Sequence, residues 1–261
     1  MSDQAKSFWA HLDELKGHLV RIVAVVVVAT AVAFGFKEWL FELVLAPAKG
    51  DFLTYRLTES LGLEWQNAQG ESVVQLINTG LAAQFLTHLK VALYVGLLVA
   101  LPYVIYSLFS FISPALYDHE RRHSRRYVVG GYVMFLLGCL LNYFVIFPFT
   151  FRFLANYQVS SAVPNMITLD SYISTLLGMT LVMGAMFEIP VVCALFARLG
   201  VLRHSAMVGA RRYAIVVALV VAAVITPTGD PFTLMLVGVP IWLLYELGAW
   251  VVLKVEKSHI K

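Results

Sequence analysis

The sequence predicts an all-α, polytopic integral membrane protein with six transmembrane helices, an N-terminal interfacial amphipathic helix and structured outer loops. Three observations predict it. Of the 261 residues, 60% are hydrophobic and only 13% are charged, where an ordinary soluble domain carries about 25% charged residues. Six apolar runs approach or reach the roughly 20 residues that a bilayer span needs. The lysines and arginines alternate between loops as a six-span chain with both termini in the cytoplasm requires.

The N-terminal residues 1–18 are expected to form a helix along the cytoplasmic interface. Phe8, Leu12, Leu15 and Leu19 fall at spacings of four, three and four, which makes one apolar stripe. Asp13, Glu14, Lys16 and His18 lie off it, so the segment should rest on the membrane and run into the first span. That span is read at 19–36, and the others at 91–112, 127–149, 172–196, 213–225 and 232–253. Ala31-Val32-Ala33 fits a small-residue cleavage pattern, but the long preceding segment carries acids as well as bases, unlike a signal peptide. The fifth span is short: it covers about 20 Å, against a hydrocarbon core of about 30 Å. Either the bilayer thins there, or Thr226-Pro227-Thr228-Gly229-Asp230-Pro231 turns below the outer surface, where protein or water must cover it.

Fourteen of the 19 lysines and arginines fall in the N-terminus, the 113–126 and 198–212 loops, and the 254–261 tail. The positive-inside rule places these four segments in the cytoplasm. Residues 37–87 then form an outer cap loop that holds Pro47 and the apolar patch Val73-Val74-Gln75-Leu76-Ile77. A second outer loop, about 150–171, is the other piece of that cap. The whole of 1–261 reads as a single membrane domain, and no internal repeat points to an inverted-repeat transporter. Cys139 and Cys193 sit in apolar runs, where small packing residues are expected rather than a disulfide framework.

Three groups of residues could carry chemistry. His119-Glu120-Arg121-Arg122-His123 matches the zinc-protease signature H-E-x-x-H. Its nearest candidate for a third ligand, Asp230, belongs to the opposite face of the membrane, far beyond metal–ligand distances of about 2 Å. Glu188, in Phe187-Glu188-Ile189-Pro190, lies inside the fourth span. A carboxylate there must face protein or a water-filled cavity, which would suit a proton-coupled small-molecule carrier. Finally, acids are scarce on the basic face, and Glu14 and Glu120 are among the few. A carboxylate pair at a membrane surface would receive a cationic ligand, arginine above all.

Several short segments, in order along the chain, resemble the TatC family, the multispan core of the twin-arginine protein translocase. They are His11-Leu12-Asp13-Glu14-Leu15, Ala46-Pro47, the run from Phe111-Ile112-Ser113-Pro114 to His119-Glu120-Arg121-Arg122, Asn142-Tyr143-Phe144-Val145-Ile146-Phe147-Pro148, Phe187-Glu188-Ile189-Pro190 and Thr226-Pro227-Thr228-Gly229-Asp230. The resemblance implies a receptor, not an enzyme, in the bacterial inner membrane. It would bind twin-arginine signal peptides of folded precursors at the cytoplasmic face and export them by proton-motive force, with no cofactor and no nucleic acid. The implied signal-peptide residues are Glu14, Lys16, Phe111 and Glu120. Glu188 would line a concave face, and Pro47 would shape the outer cap. Thr226 and Asp230 would dock small single-span Tat subunits of TatA/TatB type, and the receptor would self-associate within membrane lipid. The chain departs from the family pattern at Lys16, where arginine is usual, at the inserted Gly229 and at Leu234, often glutamine.

Overall fold

The computed structural model of the chain describes residues 8–60, 75–112, 124–160, 165–226 and 230–259. Its helices are α1 (Phe8–Phe34), α2 (Lys37–Leu45), α3 (Leu53–Ser60), α4 (Ala83–Ile112), α5 (Ser124–Leu141), α6 (Phe147–Asn156), α7 (Leu169–Phe187), α8 (Ile189–Arg198), α9 (His204–Ile225) and α10 (Pro231–His259). Among the described residues, six stretches are long and apolar enough to cross a membrane: Asp13–Phe34, Ala83–Leu108, Val128–Asn156, Leu169–Arg198, His204–Ile225 and Pro231–Lys257. Helices dominate because a chain in lipid must satisfy every backbone polar group within its own segment. The chain divides into two compact units, Met1–Leu40 with His88–Tyr132, and Phe41–Thr87 with Val133–Lys261.

In the first unit, α1 is one uninterrupted rod of 27 residues. The expected interfacial segment and the first span are therefore continuous. The single Gly17 between them costs about 1 kcal/mol of helix propensity and does not break the helix. Antiparallel to α1 runs α4, and three contacts fix the pairing. Phe34 stacks on His88 at 4.0 Å between ring centroids. Further along, Gly96 meets Thr30 so closely that a Cβ on Gly96 would lie 2.5 Å from Thr30 Oγ1 and 2.6 Å from Thr30 N. Near the start of α1, His18 Nδ1 is 2.8 Å from Ser107 Oγ. Glycine lets helix backbones approach closely in lipid, where packing replaces the hydrophobic drive. Gly96→Val is therefore expected to lower the midpoint of thermal unfolding in detergent by several degrees, because overpacking costs about 1–3 kcal/mol. Gly130→Val, which meets no atom within 4 Å, should not. Equal midpoints for the two variants would contradict this packing.

In the second unit, the segment after α2 is built on proline chemistry. Asn142–Ile146 forms a turn of π-helix between α5 and α6. Pro148 has no N–H, so it cannot bond to the carbonyl one turn back, that of Phe144. Thr54 on α3 donates its hydroxyl to that released carbonyl. The next residue, Tyr55, shares its hydroxyl proton between Pro47 O and Pro148 O, each at 3.1 Å. Burial pushes the Tyr55 phenol above its ordinary pKa, and the Arg152 guanidinium, 4.9 Å above its ring, opposes that shift. Pro47 is itself buried. The last carbonyls of α2, which have no intrahelical donor, are taken by tyrosines: Tyr143 donates to Leu43 O at 2.7 Å and Tyr172 to Val44 O at 3.0 Å. A β-bridge between Ile77 and Thr168 joins the segments that precede α4 and α7, with Ile77 N to Ile167 O at 3.0 Å and Leu169 N to Ile77 O at 2.9 Å. Of the apolar patch at 73–77, Val73 and Val74 lie outside the described residues.

Spans four and five differ from their expected form. The fourth is two helices, α7 and α8, that meet at Glu188. Pro190 cannot donate to the carbonyl of Met186, so the ladder is interrupted there. The fifth is not a short helix, since α9 has 22 residues. Only its uncharged part is short, because Arg211 and Arg212 lie within the helix, and such side chains can carry their charge toward the interface. Arg211 pairs with Glu246 of α10 at 2.8 Å. Glu256 accepts from His204 N at 2.8 Å, placing a carboxylate at the positive end of α9. Both cysteines are free, as their apolar setting implies. Cys193 packs against a core of Ala197, Met207, Ala249 and Val252.

Candidate functional site

Glu14 and Phe111 come to the same end of the α1–α4 pair. On α1, Glu14 and His18 are four residues apart and share a face. On α4, Ser107 and Phe111 have the same spacing. His18 meets both members of the second pair. Its Nδ1 is 2.8 Å from Ser107 Oγ, and its ring lies edge-on to Phe111 with centroids 6.2 Å apart. Ser107 is buried, Glu14, His18 and Phe111 are half-buried, and Asp13 and Lys16 are exposed. A half-buried acid and a half-buried aromatic ring at one end of a helix pair suit a cation that carries an apolar stem.

The other expected members of the site are Lys16 and Glu120. Lys16 is two residues from both Glu14 and His18, which places it on the opposite side of α1. Glu120 lies outside the described residues, as do His119 and His123 of the H-E-x-x-H motif. His18 and Ser107 were not among the expected site residues. The signal that could have found them is the matching four-residue spacing of polar and ring side chains at the ends of two apolar helices.

The remaining expected residues belong to the second unit. Glu188 ends α7, and its Oε1 is buried with no hydrogen-bond partner among the described residues. An unpaired carboxylate oxygen at that depth is costly and invites a partner from outside the chain or from water. Two turns earlier on α7, Thr180 Oγ1 accepts from Asn142 Nδ2 at 2.8 Å and donates to Leu176 O at 2.7 Å. Asp230 caps α10 by accepting from Thr233 N at 2.9 Å. Thr226 closes α9, and its buried Oγ1 has no partner among the described residues. Residues 227–229 between them, including Gly229, are outside the described set.

Comparison with known proteins agrees with this architecture. The family model described as Sec-independent protein translocase protein (TatC) matches residues 10–240. The chain is 34% identical over 238 residues to the Sec-independent protein translocase protein TatC of Deinococcus radiodurans, covering 91% of this chain and 82% of the relative. It is 30% identical over 257 residues to the TatC protein of a Blattabacterium from Periplaneta americana, covering 96% of each. Its fold is similar to a crystal structure described as the twin arginine translocase receptor TatC. The TM-score is 0.75 and the identity 29%, with 94% of this chain and 99% of that one covered.

Proposed function

This chain is a member of the TatC family, a multi-pass membrane component of the Sec-independent protein translocase, and we propose that it is the receptor that reads twin-arginine signal peptides. The observation that carries the reading is the meeting of Glu14's helix face with Phe111 through His18. The family match supports neither a small-molecule carrier nor a metalloprotease.

In this reading the two arginines of a precursor pair with Glu14 and Glu120. Each exposed ion pair contributes only about 0–1 kcal/mol, so two of them cannot give tight binding. The apolar part of the signal peptide supplies the rest by burial, at about 25 cal/mol per Å². Charge pairing thus gives specificity and burial gives affinity. Glu188, whose Oε1 has no hydrogen-bond partner among the described residues, serves as a polar group within the membrane-spanning part of the chain. Thr226 and Asp230 dock small single-span Tat subunits, Pro47 supports the outer cap, and several copies self-associate. The basic loops put both termini in the cytoplasm of a bacterium, so the receptor lies in the inner membrane and transport draws on the proton-motive force.

The test is photocrosslinking of a twin-arginine signal peptide to full-length protein labelled at single positions. Label at Phe111 should capture the peptide, and Glu120→Lys should abolish capture, because it reverses the charge at one arginine subsite. Undiminished capture in the Glu120→Lys protein would overturn the assignment.

A further inference from the structure

Among the described residues at this end, His18 and its partner Ser107 have no task in the receptor reading. Ser107 is 2% exposed, and a buried helix hydroxyl commonly turns back to its own chain's carbonyl one turn earlier. Here it reaches across to His18 on the other helix instead. The same imidazole touches Phe111 with its edge, and Glu14 stands one turn before it on α1. The deeper parts of the α1–α4 pair are held by Thr30 against Gly96 and by Phe34 on His88. The His18 contact ties the pair at the other end, where Glu14 and Phe111 stand. A serine hydroxyl can donate to or accept from Nδ1, so the tie holds in either protonation state of the ring.

We propose that His18 is a positioning residue for signal-peptide recognition: by pinning the last turn of α4 to α1 it fixes Phe111 relative to Glu14, and so enforces selection of paired arginines over paired lysines. The inference rests on the receptor reading above. Its physical basis is that a guanidinium bonds a carboxylate through a planar two-point fork, whereas an ammonium is a point charge that tolerates displacement. Loosening the separation between ring and carboxylate should therefore weaken arginine binding far more than lysine binding.

The experiment measures affinities of a fluorescent twin-arginine signal peptide and of its lysine-lysine counterpart for the full-length protein in lipid nanodiscs. His18→Ala is expected to weaken the arginine peptide about tenfold and the lysine peptide less than about threefold, so the ratio between them collapses. Ser107→Ala should move the ratio the same way by a smaller factor. His18→Asn, whose side-chain amide can reach Ser107, should recover much of the ratio. An unchanged ratio in both His18→Ala and Ser107→Ala overturns the proposal, as does an equal loss for both peptides. Should His18→Ala fail to fold, Ser107→Ala and His18→Asn decide the matter. Glu14→Gln and Phe111→Ala separate this proposal from the reading beneath it. If these two bind the arginine peptide as the unaltered chain does, the receptor site itself is misplaced. If they lose binding while the ratio survives without the His18 tie, only the positioning role fails.

Discussion

Gly138→Ala should lower the thermal midpoint of the solubilised protein by roughly 3–10 °C, while Gly178→Ala leaves it level or raises it. Only one methyl group is added in each case, and its surroundings decide the outcome. At Gly138 the new Cβ would lie 2.6 Å from Met183 O, 2.9 Å from Gly184 Cα and 2.9 Å from Phe187 Cδ2. Two of those neighbours are backbone and cannot swing aside, so α5 and α7 must separate. Separation strains the Asn142–Thr180 hydrogen bond and opens the contact between Gly184 and Phe135, whose ring already sits where a Cβ on Gly184 would fall. Overpacking of this kind costs about 1–3 kcal/mol and sometimes more. At Gly178 nothing lies within 4 Å, and alanine gains up to about 1 kcal/mol of helix propensity. Paired thermal scans in one detergent check both variants, and a Gly138→Ala midpoint equal to that of the unaltered chain would show that the two helices are not in such close contact.

The second large effect is expected from Tyr143→Phe combined with Tyr172→Phe. These substitutions keep both rings and remove only the hydroxyls that serve Leu43 O and Val44 O. Tyr172 is 2% exposed and Val44 5%, so water cannot readily replace the lost donor. A buried acceptor left unmade costs about 1–3 kcal/mol, and the half-buried Tyr143 should fall at the low end. Hydrogen exchange should show faster exchange of the α2 amides, with the α9–α10 pair unaffected. Tyr157→Phe is the control, since Tyr157 is exposed. Unaltered exchange in α2 would mean that the tyrosines do not hold the cap.

Much of the fold could be read from the sequence because lipid constrains each segment separately. The six apolar runs reappear as six candidate spans, and the resemblance carried by short motifs is matched by the family model over residues 10–240. The boundaries were less legible. Arg211 and Arg212 made the fifth span look short, because a hydropathy reading stops at charge and a helix does not. Of the candidate site, Glu14 and Phe111 were legible as residues and come to one end of a helix pair. Lys16 comes from the family resemblance alone, and two positions from Glu14 along a helix place it on the other side of α1.

Composition and pattern were enough for the list of spans and the charge bias of their loops. Both follow from properties each stretch has alone: enough apolar length to cross a bilayer, and bases that stay on one side. Which polar groups find one another follows from packing instead. His18 and Ser107 are 89 residues apart, Tyr55 and Pro148 are 93, and Tyr172 and Val44 are 128. No local pattern encodes such pairs. Tyr172 reaches Val44 because a helix end leaves that carbonyl without a donor, and packing brings the hydroxyl within reach before the surroundings exclude water.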